Sequence, residues 1–328
     1  MTTMRVGKLV SPGQMACESL TVRPPRDGEL LVRTIQASIC GSDLHVIYDN
    51  FSMFDLPAPP GFPGHEGFGK VVESRDPGFS AGDLVLTCPW PDEAGCFADY
   101  QTIGARFCLK LPSYSGPVEH LMMAQQLGTA LYAFQRNTVD LQDKTVVVMG
   151  LGSAGTFFSY LAKRAGAAKV IASDLSPARL QAAAHYGVDV AVEATGSDVH
   201  DAVMDNTNAQ GADFLIEAVG RQDSLLQSVD LVRDRGAMLF FGLPDTSEPV
   251  PFNFHDFFRK RLSAYSDHGA QHEPNLACFR QALSMIADGE IDVSRMVSHL
   301  ISIEQIDEAM KMAHHRSDDA LKVSISFA

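Results

Sequence analysis

The 328-residue sequence is poor in positive charge: 26 Lys and Arg stand against 40 Asp and Glu, a formal net charge of −14 at pH 7. That field repels a phosphate backbone, and no stretch forms a basic patch able to overcome it, so nucleic acid is not an expected partner. Long apolar runs are lacking too. None is long enough to cross a bilayer, and no charged n-region with an apolar h-region opens the chain, so a cytoplasmic protein without a membrane partner is expected. Cysteine is sparse. Cys17, Cys40, Cys88, Cys96, Cys108 and Cys278 include no C-x-x-C pair, which in a chain of this size argues against a disulfide framework and makes most of them small buried hydrophobes. Internal repeats and low-complexity linkers are also missing. What is present, 45% hydrophobic and 20% charged residues, is an ordinary enzyme composition with length enough for two domains.

The strongest positive signal lies at residues 145–174, TVVVMGLGSAGTFFSYLAKRAGAAKVIASD. A β-branched run meets Gly150, Gly152 and Gly155 at G-x-G-x-x-G spacing, with Ser153 and Ala154 opening a helix of small residues. Gly150 permits a tight turn, Gly152 lets the backbone approach a pyrophosphate, and Gly155 lets helix and strand pack closely. A second strand, 169–173, ends in Asp174, placed to bind ribose hydroxyls and to repel a 2′-phosphate, which favours NAD over NADP. The alternative for Asp174 is an N-cap of the helix that begins at Ser176-Pro177. Arg179 in that helix either reaches the adenosine side or lies on a solvated face. From 127 to about 265, helix and apolar strand alternate as a doubly wound parallel sheet requires. Strands at 213–218 and 237–241 stop at Val219-Gly220 and Gly242-Leu243-Pro244, turns expected to border the nicotinamide.

Residues 1 to about 110 read as a β-rich domain, with strands at 30–35, 69–72 and 83–86 between Pro/Gly clusters. A proline-held loop at 59–64 is a stiff mount for His65 and Glu66. Cys40, His65 and Glu66 are candidate zinc ligands, with Asp43 a candidate partner for the second ring nitrogen of His65. Spacing leaves open a buried cysteine and a surface histidine that never meet. Toward the end, helices at 278–286 and 301–314 precede a strand at 321–326, and His268, His272, His314 and His315 lack ligand spacing and read as solvated.

Taken in order, Cys40-Gly-Ser-Asp-Leu-His45, Gly64-His-Glu-Gly-Phe-Gly69, Ala81-Gly-Asp-Leu-Val85 and the Gly150 fingerprint resemble the zinc-dependent medium-chain alcohol and polyol dehydrogenases over essentially the whole chain. The resemblance implies an α/β fold. A GroES-like catalytic domain (1–126 and 267–328) would be interrupted by an NAD-binding Rossmann domain (127–266), with the active site in the cleft between them. It implies catalytic zinc on Cys40 and His65, support of that histidine by Asp43, uptake of the substrate proton by Ser42 and a relay ending at His45. Thr129 resembles a threonine packed near the nicotinamide. Trp90, the only tryptophan, falls where the family lines its substrate cleft, ordinary core packing being the alternative. Tyr48, Asn50 and Phe54 follow the first motif, and their hydroxyl and amide suit a polyhydroxylated ligand, solvated loop residues being the alternative. Two departures stand out. The lobe that carries four cysteines in many relatives is here only residues 87–96, so no structural zinc is expected. The family's third ligand position, a cysteine or glutamate, is occupied by Gln125, a neutral and poorer ligand, so Glu66 is expected to complete the site or zinc to be held weakly.

The expected activity is NAD-dependent oxidation of a secondary alcohol of the polyol, sugar or cyclitol kind, by a homodimer or homotetramer whose partner is a small alcohol or ketone. A zinc-free enone or quinone reductase of the same superfamily, and an inactive cofactor-binding protein, are the alternatives.

Overall fold

The computed structural model describes residues 2–49, 58–90, 95–137 and 139–328. Asn50 and Phe54 lie outside the described residues. In chain order the strands and helices used below are β1 (Thr3–Ser11), β2 (Gln14–Thr21), β3 (Glu29–Ser38), α1 (Gly41–Tyr48), β4 (Glu66–Ser74), β5 (Leu84–Thr87), β6 (Tyr100–Gly104), β7 (Cys108–Lys110) and α2 (Ala124–Asn137). There follow β8 (Thr145–Met149), α3 (Ser153–Arg164), β9 (Lys169–Asp174), α4 (Pro177–Ala183), β10 (Val190–Glu193), α5 (Asp198–Asn206), β11 (Ala212–Glu217), α6 (Gln222–Ser228), β12 (Val232–Phe240), α7 (Phe254–Arg259) and β13 (Ser263–Ser266). The chain continues through α8 (Ala277–Ala287), β14 (Val297–Ser302), α9 (Ile306–His315) and β15 (Lys322–Ser326). Two compact units divide it, Met1–Gly128 with Ala270–Ala328, and Thr129–Gly269.

The first unit is built on a sheet of order β14-β15-β3-β4-β5-β7, with β6 also paired to β3 and with β1 and β2 forming a separate hairpin. β3 is longer than expected: its alternation of buried and less buried side chains runs to Gln36, and the strand goes on through the buried Ala37 and Ser38. In the antiparallel register with β4, Ser38 stands opposite Glu66. Glu66 therefore opens a strand rather than riding on the proline loop, which ends at His65. The expected helix at 301–314 is also corrected. Residues Val297–Ser302 alternate in exposure and pair in parallel with β15, and the helix begins only at Ile306. One core cluster, including Ala37, Ile39, Ile47, Phe97, Ile306 and Ile325, fixes α1 and α9 beside this sheet.

The second unit is a six-stranded parallel sheet of order β10-β9-β8-β11-β12-β13. The order reverses beside β8, and at such a switch point the carboxyl ends of neighbouring strands open a crevice for a ligand. Val146, Val147 and Val148 are all buried, the continuous apolar run expected of a strand covered on both faces. β12 starts five residues before the expected 237. Its opening Val-Arg-Asp-Arg conceals a strand, and Arg235 takes a positive φ of 57° beside a register shift against β11.

Candidate functional site

Cys40 sits between β3 and α1, at the N-cap, with extended φ/ψ of −90° and 157°. Its backbone N–H donates to Asp43 Oδ2 at 2.9 Å, so the first turn of the helix locks the cysteine in place. Asp43, fully buried, also turns Oδ1 to within 3.0 Å of His65 Nδ1. The Pro63 carbonyl lies 3.1 Å from the same nitrogen. Two acceptors facing Nδ1 put the ring proton there and leave the Nε2 lone pair for a metal. Burial, with the nearby Glu66 charge adding to it, raises the Asp43 carboxyl above its ordinary range against the opposing pull of His65 and the Cys40 N–H. Burial works against a charged His65, but Asp43 and Cys40 together outweigh it and raise the imidazole well above its usual value.

Among the described residues, the ligand atoms of Cys40, His65 and Glu66 form a cluster, all within 4.8 Å of one another. The expectation that the two motifs meet is met by this geometry. Glu66 is 1% exposed, and its Oε2 takes the Ser38 hydroxyl and the ammonium of Lys322, the latter at 2.6 Å. Glu66 Oε1 is buried with no hydrogen-bond partner. A buried carboxylate oxygen without a donor is costly, and one facing a thiol and an imidazole has the chemistry of a zinc ligand. The donor set thus fits zinc. Burial pushes the Glu66 carboxyl up, but Lys322, His65 and Ser38 together hold it below its usual value.

Two side chains here escaped the sequence reading. Gln125 is buried at the start of α2, and its neighbour Gln126 contacts Cys40. Gln126 Oε1 accepts from Lys322 Nζ at 2.9 Å, which turns Nε2 toward Cys40 Sγ at 3.7 Å. Lys322 opens β15, hydrogen-bonded beside β3, and a lone lysine in a terminal strand gives no motif to find. Sheet topology alone brings it in.

Ser42 Oγ lies 3.4 Å from His65 Nε2, so the serine faces the cluster. His45 follows one turn later and binds Asp49 through Nδ1 at 2.6 Å. Tyr48 stacks on His314, ring centroids 4.0 Å apart, so its ring is occupied in packing against α9. Trp90 closes the edge of a second core cluster and tilts against His272 at 4.3 Å. His314, read from sequence as solvated, is instead half-buried in its stack with Tyr48, whereas His272 is exposed as expected and also packs its ring against Trp90. Cys88 and Cys96 are completely buried thiols, and burial pushes Cys96 up to about 12, so neither is a ready thiolate.

In the second unit Gly150 has φ 87° and Gly152 is the N-cap of α3, with Ser153 and Ala154 half-buried behind it. A Cβ on Gly155 would stand 1.8 Å from the Gly150 carbonyl oxygen, which is why that position holds glycine. Asp174 does not cap the next helix; Ser176 does. Asp174 instead accepts from the Leu151 and Ser176 backbone N–H groups at 2.7 and 2.8 Å. Arg179 pairs with it at 3.5 Å and reaches the Gly152 turn, so it is not on a solvated face. Thr129 is half-buried in α2. At the ends of β11 and β12, the fully buried Glu217 carboxylate accepts from the Val219 and Gly220 N–H groups and from Ser224 Oγ. Its backbone carbonyl accepts from Gly242, and Gly220 lies so close to the Leu243 carbonyl that no Cβ fits. Sequence reading named both turns and missed Glu217, whose carboxylate holds the first and whose backbone carbonyl holds the second.

The family description "Zinc-binding dehydrogenase" matches residues 153–288, and "Alcohol dehydrogenase GroES-like domain" matches residues 26–113. The chain is 25% identical to the sorbitol dehydrogenase of Bacillus subtilis (strain 168), over 98% of this chain and 97% of that protein. It is 30% identical to the L-threonine 3-dehydrogenase of Pyrococcus abyssi, over 76% of this chain and 78% of that protein. The crystal structure of 2R,3R-butanediol dehydrogenase from Bacillus subtilis superposes with a TM-score of 0.84 at 21% identity, covering 99% of this chain and all of that one, which shows the fold. Fingerprint, metal cluster and these matches agree: the chain belongs to the zinc-dependent medium-chain dehydrogenase family.

Proposed function

We propose that this protein is an NAD-dependent dehydrogenase of secondary alcohols of the polyol type, with one zinc held by Cys40, His65 and Glu66. The observation that carries the reading is the convergence of thiol, imidazole and a carboxylate oxygen without a donor beside the Ser42 hydroxyl. Relatives named for sorbitol and for erythritol or threitol support a polyhydroxylated substrate.

When bound, zinc supplies a Lewis acid that lowers the pKa of an alcohol, and the nicotinamide supplies the hydride acceptor. The protein's own groups do the rest. Asp43 holds the His65 proton on Nδ1 and so keeps Nε2 a ligand. Ser42 takes the substrate hydroxyl proton and passes it outward toward His45, whose other partner, Asp49, stabilises the imidazolium that forms. Asp174 binds the adenosine ribose, and the tied turns at Val219 and at Gly242-Leu243 seat the nicotinamide end. Gln126, as an amide donor, stabilises the Cys40 thiolate.

A second cofactor reading has one specific support. Arg179 stands beside Asp174, and a guanidinium there suits a 2′-phosphate. Titration with NADH and NADPH by nucleotide fluorescence separates the two: tighter NADPH binding overturns the NAD assignment. Metal analysis after dialysis, with an alcohol and ketone screen read as NADH absorbance, tests the whole reading. Metal-free protein that reduces enones at full rate is the outcome that sinks it.

A further inference from the structure

Lys322 is the one charged side chain at the metal cluster that a zinc site does not require. Its ammonium is almost completely buried, 2.6 Å from Glu66 Oε2 and 2.9 Å from Gln126 Oε1, while the carboxylate it binds is itself a member of the ligand cluster. A lysine so buried loses the hydration of its charge, a cost that a neutral residue filling the same volume would not carry.

We propose that Lys322 is a resident cation that shares Glu66 with the metal and deliberately weakens the hold on it. The inference rests on the zinc reading above. With Cys40 as thiolate and Glu66 ionised, the donors carry two negative charges; Lys322 cancels one before any metal arrives. Counting the Asp43 carboxylate behind His65 as well, a divalent ion entering that pocket meets a net charge of two, not three, and leaves a neutral centre where the same groups without Lys322 would be anionic. Like charges a few ångströms apart in a poorly solvated site repel strongly. Lys322 is thus a positioning residue. It holds Oε2, through which Oε1 is aimed at the cluster, and it makes the occupied pocket one charge more positive than it would otherwise be, the direction that favours loss of a proton from an alcohol.

A partner that only orients a ligand behaves oppositely when removed, costing typically about 10–100-fold in metal affinity. The test is zinc affinity of the full chain, measured by competition with a chromogenic chelator, for wild type, Lys322→Met, Lys322→Gln and Lys322→Arg. We expect Met and Gln to bind zinc at least about tenfold more tightly and to release it more slowly, with Arg close to wild type. If Lys322→Met fails to fold without metal, Lys322→Gln, which still donates to Glu66, carries the same comparison. Affinity unchanged or lowered in the neutral variants, with wild type binding zinc, overturns this inference alone. Absence of zinc binding in wild type overturns the zinc reading as well.

Discussion

On the proposed reading, Cys40 and His65 each supply a zinc ligand atom. Cys40→Ser and His65→Ala are expected to lose zinc and turnover together, measured by metal content and NADH formation. Glu66→Gln should cost more metal than an outer-shell change of about 10–100-fold, because it removes a charged donor. At the glutamine pair the structure adds Gln126 beside the expected Gln125. Gln126→Glu puts a second carboxylate against Cys40 and Lys322 and should raise zinc affinity; Gln125→Glu is the comparison, and a larger gain there would return the third position to Gln125. Legibility at this scale followed covalent spacing. Cys40, Ser42 and Asp43 lie within one helical turn, so the motif carried them. Gln126 and Lys322, 196 residues apart, meet only through β15 beside β3, and no local pattern records that. At the cofactor turn, Asp174→Ala should weaken NADH binding and narrow the preference over NADPH. Arg179→Ala should weaken NADPH more than NADH.

Among elements, the fingerprint turn was fully legible because glycine is forced there. Gly155→Ala drives a methyl into the Gly150 carbonyl, so strand or helix must move, and cofactor binding should be lost with thermal stability lowered. The bounds of β12 and α9 were less legible. A strand that opens with Arg-Asp-Arg, and a strand that runs into a helix through Ile303–Gln305, both break the simple periods. Glu217 belongs to this scale as well. It is one charged acceptor serving several backbone donors, and hydrogen bonds to charged groups contribute about 1.5–3 kcal/mol. Glu217→Gln should lower stability by about that much and raise the KM for cofactor more than it lowers kcat. An unchanged KM with lowered stability would leave Glu217 a packing residue only.

For the whole molecule, two compact units with separate cores suggest two sources of ligand-linked stability. Calorimetry is expected to resolve an unfolding transition that moves with zinc and another that moves with NAD; a ligand at a hundred times its Kd adds about 2.7 kcal/mol to the unit that binds it. A single transition moved equally by both ligands would show the units unfolding as one.

The Glu66–Lys322 contact also fixes an order of events in biosynthesis. Glu66 and its partners Ser38 and Cys40 leave the ribosome long before Lys322, with the entire parallel sheet translated between them. During that interval the three ligands stand without their resident cation. Contacts between segments so distant in sequence form late, since the intervening chain must first be closed into a loop. On the proposed role of Lys322, a chain in which Cys40, His65 and Glu66 have come together before the closing strand docks would hold metal more tightly than the finished protein.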